Sequence, residues 1–176
     1  MHQRHLAQLK HAGFAMTDLK LLGTITSPYV RRVRVVAREL GLNVDRVDTA
    51  GEDSQAQLRR LSPIWKIPAA VIDGRALFDS TVICEHLLSS YGPGAMTAID
   101  SEDSESKNFV TVVDGALDAL INVFYLGKDG VDAAGASYVA KQSERAASAM
   151  AWLVDQLAAG TVARHLASRL PHRSTK

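Results

Sequence analysis

A chain of 176 residues, 47% of them hydrophobic, is long enough for one domain of ordinary size, or a compact domain and part of a second, with a real core. A formal charge of +1 and a pI near 7.9 give no electrostatic reason to expect nucleic acid or an anionic membrane as partner, and no uninterrupted apolar stretch approaches the roughly 20 residues that span a bilayer. Cys84 is the single cysteine, which excludes an internal disulfide, a Cys-x-x-Cys couple and a cysteine-based zinc cage, so a reducing cytoplasm is the simplest home.

The two ends differ from the middle. Residues 1–15 hold His2, His5, His11, Arg4 and Lys10 with no acid, yet lack the apolar core of a secretory signal. Residues 161–176 hold Arg164, Arg169, Arg173 and Lys176, again without acid. Five of the six histidines lie in these tails, which argues against a histidine-centred site; no metal is expected. Met16 is a plausible start, and residues 1–15 read as an extension, disordered and outside the fold.

In chain order, a β-like run from Lys20 to Thr26 meets Ser27-Pro28, where a helix opens and continues through Tyr29, Val33, Val36 and Leu40 on one face until Gly41 stops it. Ser27 either only caps this helix or, together with the positive N-terminal end of the helix dipole, holds an anion or thiolate. Asn43 to Val47 alternates and reads as a second strand. Gly51-Glu52-Asp53-Ser54 looks like a turn ending in a cap, with Leu58 and Leu61 marking a short helix. Pro68 to Ile72, then Asp73-Gly74, then Arg75 to Phe78 form the strongest hairpin signal, because Asp-Gly accepts the positive φ values of a type I′ turn. Asp79-Ser80 then starts a third helix through Val82, Ile83, Leu87 and Leu88, ending near Tyr91 to Gly94. His86 on this helix is expected at the surface or an interface.

Residues 92–104 read as a linker and domain boundary. Beyond them Phe109, Val112, Val113, Ala116, Leu117, Leu120, Ile121 and Phe124 keep one broad helical face, as do Tyr138, Ala146, Met150, Leu153 and Leu157 less densely. Gly127-Lys128-Asp129-Gly130 reads as the connection between these two long helices.

The order β-α-β-α-β-β-α followed by long helices resembles the thioredoxin-like half and the start of the helical half of a glutathione S-transferase. Three motifs agree. Ser27-Pro28-Tyr29-Val30-Arg31-Arg32 resembles the active-site turn of the serine-type, bacterial-like members. Ser62-Pro63-Ile64-Trp65-Lys66-Ile67-Pro68 resembles the Asn-Pro-x-x-Lys-Val-Pro stretch whose last proline is cis. Phe78-Asp79-Ser80 resembles the acidic-Ser pair that leads from strand to helix. The expected fold is therefore an α/β thioredoxin-like domain with a mixed sheet at 16–91, a linker at 92–104, an incomplete all-α domain at 105–160 and an atypical basic tail at 161–176. In that tail Thr161-Val162-Ala163-Arg164 begins like the family's capping box but puts Arg164 where an acid should stand, so a truncated or frameshifted helical domain is expected, with apolar faces around Leu120 and Leu153 left exposed.

What the resemblance implies is a transferase with glutathione as co-substrate and a small electrophile as second substrate, in a cytoplasmic homodimer without nucleic acid or membrane. Ser27 would steady the thiolate without itself being the nucleophile. Ile67, ahead of a cis Pro68, would pair with the tripeptide backbone as an added strand. Asp79 would receive the γ-glutamyl ammonium and Ser80 the α-carboxylate; the plainer alternative is an ordinary helix cap. Lys66 either contacts the tripeptide or covers the surface, and Trp65 either shapes the cleft or packs beside it. Asp114 and Asp118 resemble an Asp-Gly-x-x-Asp stretch of some bacterial members, or form a solvated face. The alternative function is a non-catalytic binding or scaffold protein of the same fold. Thiol-disulfide chemistry would need a cysteine at Ser27, and Cys84 lies in the wrong element to supply it.

Overall fold

The computed structural model describes residues 19–92, 102–132 and 134–160. The readings for residues 1–18, for most of the linker and for 161–176 lie outside the described residues. Two compact units divide the chain.

The first unit contains β1 (Leu19–Leu22), α1 (Pro28–Glu39), β2 (Val44–Val47), α2 (Glu52–Leu61), β3 (Ala69–Ile72), β4 (Arg75–Phe78) and α3 (Ser80–Tyr91). The sheet order is β2-β1-β3-β4, with β1 parallel to β2 and antiparallel to β3, and β3 antiparallel to β4. This is the expected mixed thioredoxin-like sheet. Alternation along the strands divides the core. Leu19, Leu21, Ala70 and Ile72 pack with Val30, Val33, Val36 and Ala37 of α1 and Ile83, Cys84 and Leu87 of α3. Leu22 and Ala69 face the other way, onto Leu58 of α2.

Several local details depart from the sequence reading. β1 ends at Leu22, because Gly23 turns the chain at φ 156 and hands it to a short loop before Ser27. In α1 the buried face is Val30, Val33, Val36 and Ala37, while Tyr29 is only half-buried. Ser54 is inside α2 and does not cap it; Gly51 occupies the cap position without a side-chain bond, and the Ser54 hydroxyl donates to the Gly51 carbonyl at 2.8 Å. The hairpin forms as read, with Asp73 at φ 49 and Gly74 at φ 79.

The second unit is a pair of helices, α4 (Ser104–Lys128) and α5 (Ser137–Ala158). Gly127 and Lys128 extend α4 instead of connecting it, and the chain turns at Asp129 and Gly130, the latter at φ 78. The residues fully buried in this unit are Ser106, Ala116 and Ala119 on α4 and Val139, Gln142 and Ala146 on α5. Of the apolar faces read from the sequence, Ala116 and Ala146 are buried, Phe109, Val112, Val113, Leu117, Ile121 and Leu153 are half-buried, and the Phe109 ring meets that of Trp152 with centroids 5.9 Å apart. Leu120, Phe124, Tyr138, Met150 and Leu157 are all exposed. By length and composition α4 is also apolar enough to cross a bilayer, with a mean hydropathy of 1.6 over an 18-residue window. Asp114 and Asp118 interrupt the apolar run while leaving the helix hydrophobic on average.

Candidate functional site

The strand register assembles the site. Leu22 of β1 and Phe78 of β4 both pair with Ala69 of β3. The segments that continue from those three positions, Gly23 to Ser27, Pro68 backward to Ser62, and Asp79-Ser80, therefore leave the sheet at the same end. Gly23 fixes how closely two of them approach: a Cβ there would stand 2.3 Å from Val30 Cγ2 and 3.4 Å from Ile67 Cβ.

Ser27 is the N-cap of α1, with extended backbone (φ −67, ψ 124) and Pro28 at the first helical position. Its Oγ accepts from the Val30 N–H at 3.3 Å. A hydroxyl carries two lone pairs and one hydrogen, so this bond uses an acceptor site and leaves the O–H to donate. Capping and holding an anion are thus compatible in one side chain. No acid occupies the first turn of α1, so nothing there cancels the positive helix terminus.

The Ile67–Pro68 peptide bond is cis. Pro68 is buried and Ile67 half-buried, its side chain reaching both core clusters. Trp65 holds φ 55 and is 62% exposed; its ring lies 5.2 Å from the Arg59 guanidinium carbon, so it stacks on the outside of α2. Lys66 is exposed.

Asp79 caps α3 in a backbone conformation unusual for a residue with a side chain, φ 75 and ψ 133, which costs on the order of 1–3 kcal/mol and is found disproportionately at functional sites. Oδ1 accepts from the N–H groups of Thr81 at 2.8 Å and Val82 at 3.4 Å. Both bonds go to one oxygen, which fixes the carboxylate at the helix start and leaves Oδ2 outside this cap. Ser80 is buried, and its Oγ accepts from Arg32 Nη1 at 3.3 Å.

Arg32 is the residue sequence reasoning missed. It was read only as part of the Ser27 motif, yet it ties the starts of α1 and α3 together and leans on the Tyr29 ring, 5.8 Å from its centroid. It occupies an acceptor site on Ser80, leaving the hydroxyl hydrogen to donate, and it adds a positive charge beside two helix N-termini. Only its place at the head of α1, five residues after Ser27, hinted at this.

Cys84 sits one turn into α3 in the core. Burial pushes its thiol up to about 11; the Arg32 charge opposes this, and Asp79 and Glu85 reinforce it. A thiol kept protonated is a poor nucleophile at neutral pH. His86 is half-buried and meets Tyr91 edge to face, with centroids 6.5 Å apart. In the second unit Asp118 is exposed and Asp114 half-buried. Among the described residues, no group of three or more His, Cys, Asp or Glu is arranged to hold a metal.

Residues 21–95 match the model of the glutathione S-transferase N-terminal domain. An uncharacterized GST-like protein of Escherichia coli strain K12, YibF, is 26% identical over 103 residues, covering 57% of this chain and 51% of that protein. Glutathione S-transferase 3 of Zea mays is 34% identical over 95 residues, covering 52% of this chain and 43% of its own length. The chain thus spans about half the length of the curated relatives it matches. A crystal structure of a glutathione transferase family member from Pseudomonas fluorescens Pf-5, with bound glutathione, superposes with a TM-score of 0.71 at 26% identity, over 86% of this chain and 78% of that one.

Proposed function

Since the chain belongs to the glutathione S-transferase family, we propose that it is a serine-type member that binds glutathione and activates the thiol for attack on an electrophilic small molecule. The observation that carries this reading is the convergence, at one end of the sheet, of an acid-free helix start capped by Ser27, a cis Ile67–Pro68 bond and the Asp79-Ser80 cap tied to α1 by Arg32.

In this reading the tripeptide backbone pairs with Ile67 as a short added strand. Its γ-glutamyl carboxylate takes the Ser80 O–H and the N-terminal end of α3, and its ammonium takes the outer oxygen of Asp79. Lys66 lies close enough in sequence to reach the same ligand. The sulfur sits at Ser27, where the hydroxyl and helix terminus stabilise the thiolate and lower its pKa from about 8.5–9 toward neutrality, as such environments do for protein thiols. The thiolate carbon–sulfur bond then forms as the leaving group departs from the electrophile with its electron pair. Ser27 donates a hydrogen bond throughout and forms no covalent bond. A cytoplasmic homodimer, the arrangement expected of the family, completes the proposal.

The test pairs binding with turnover. Glutathione is expected to raise the melting temperature of both the wild type and Ser27→Ala, since ligand stabilisation follows occupancy, whereas conjugation to an aryl halide is expected to fall by about 10²-fold in the variant, the scale for losing one donor to a developing charge. No thermal shift in either protein would overturn the binding site. Binding without conjugation in the wild type would favour a non-catalytic glutathione-binding role.

A further inference from the structure

A second cleft lies at the other end of α1. Its cavity of about 460 Å³ is lined by Arg34 and Arg38 of α1, Arg46 of β2, and the apolar side chains of Leu42 and Val44. Arg38 stands eleven residues beyond Ser27, about 16 Å along the helix at 1.5 Å per residue, so the Arg38 end of this cleft lies away from the Ser27 cap, while Arg46 reaches back toward Gly23.

One of these arginines has an ordinary explanation: Arg38, in the last turn, complements the negative end of the helix dipole. That account does not extend to the other two. Arg34 is half-buried a turn earlier. Arg46 comes from the edge strand and is held in place, its Nη1 donating to the Gly23 carbonyl and to Asp48 Oδ2, each at 2.9 Å. A guanidinium has five N–H donors, so this anchoring through one nitrogen leaves others for a ligand. Asp48, beyond the end of β2, pairs with Arg46; Glu39 and Asp45 are exposed and do not line the cleft. Among the described residues, three arginines and no acid therefore line this space.

We infer that this cleft binds a small organic phosphate. The planar fork of a guanidinium matches two phosphate oxygens at once, and three forks from two elements can surround a dianion. Leu42 and Val44 offer an apolar wall for the carbon part of the same ligand.

Binding of phenyl phosphate and of inorganic phosphate to the full chain, measured calorimetrically at matched ionic strength with glutathione saturating, tests this. Phenyl phosphate is expected to bind at least about tenfold more tightly than inorganic phosphate, since burying an aromatic ring adds well over the 1.4 kcal/mol that a factor of ten requires. The double variant Arg34→Gln/Arg38→Gln is expected to lose most of that affinity while Ser27→Ala keeps it. The Gln side chains keep much of the aliphatic stem of half-buried Arg34 and exposed Arg38, and an unchanged circular dichroism melt confirms that the variant is folded. Failure of the wild type to bind phenyl phosphate, equal affinity for the two phosphates, or equal affinity in the wild type and the double variant would each overturn the proposal. The same titrations repeated without glutathione keep a failure here distinguishable from a failure of the transferase reading, since the expected affinities and their loss in the double variant do not require glutathione to bind.

Discussion

Ser27 does two jobs with different atoms: a lone pair holds the Val30 N–H, and the hydrogen is left for a ligand. Replacing it with alanine should therefore lower stability by about 1 kcal/mol through the lost cap, a change readable by denaturant titration, separately from the loss of conjugation. Arg32 should behave in the opposite way. Because it acts through Ser80 and does not touch the sulfur in the proposed pose, Arg32→Met is expected to weaken glutathione binding about tenfold, the loss of one charge-assisted contact, while kcat at saturation stays within a few-fold. Arg32→Lys, which keeps the charge, should recover part of the affinity in the same calorimetric assay. Cys84 yields a pH prediction. Burial pushes the folded-state thiol up to about 11, above the ordinary range of a free cysteine, so the thiol contributes stability that is intact below about pH 9 and is lost as pH rises toward 11. That loss is on the order of 2 kcal/mol, and Cys84→Ala should flatten the corresponding slope of stability against pH. Slow alkylation of native Cys84 at pH 8 would accompany it.

At the scale of elements, glycine positions separate steric from conformational demands. Gly23→Ala would drive a methyl to 2.3 Å from the fully buried Val30, and is expected to cost about 2 kcal/mol or more through overpacking and to loosen glutathione binding, since the same residue spaces α1 from Ile67. Gly74→Ala meets nothing within 4 Å and should cost only the left-handed backbone term, about 1–2 kcal/mol; urea melts of both variants check this ordering. The same elements show what was legible beforehand. Ser27-Pro28, Asp73-Gly74 and Asp79-Ser80 were readable because each signal is local: a hydroxyl before a proline, a pair tolerant of positive φ, an acid before a helix. Ser54 was misread because Gly51 can cap as well as a hydroxyl residue when the first turn already carries Glu52 and Asp53. The faces of α4 and α5 were legible in part: Ala116 and Ala146 are buried as their spacing implies, whereas Leu120, Phe124, Met150 and Leu157, on the same sequence pattern, are exposed, because periodicity marks an apolar stripe without saying how much of it the partner helix covers. Arg32 could not be assigned at all, since its partner Ser80 lies 48 residues away and nothing local marks the pair.

For the molecule as a whole, the order of elements was legible because hydrophobic period and turn chemistry switch together at nearly every boundary. What each large apolar residue touches was not. Leu120, Phe124, Met150, Val154 and Leu157 remain exposed in the helical unit. If the proposed homodimer covers part of this surface, sedimentation at about 50 μM, in the range where interfaces of ordinary size associate, should give about twice the chain mass, and Phe124→Ser with Leu120→Ser should shift the mass toward the monomer. Finally, β1, the first strand among the described residues, occupies an interior place in the sheet, between β2 and β3. On a ribosome its β3-facing edge must therefore wait until roughly fifty more residues have emerged, a long loop to close. Nascent chains arrested between β2 and β3 should thus hold the first βαβ unit with one raw edge, ready to engage a chaperone.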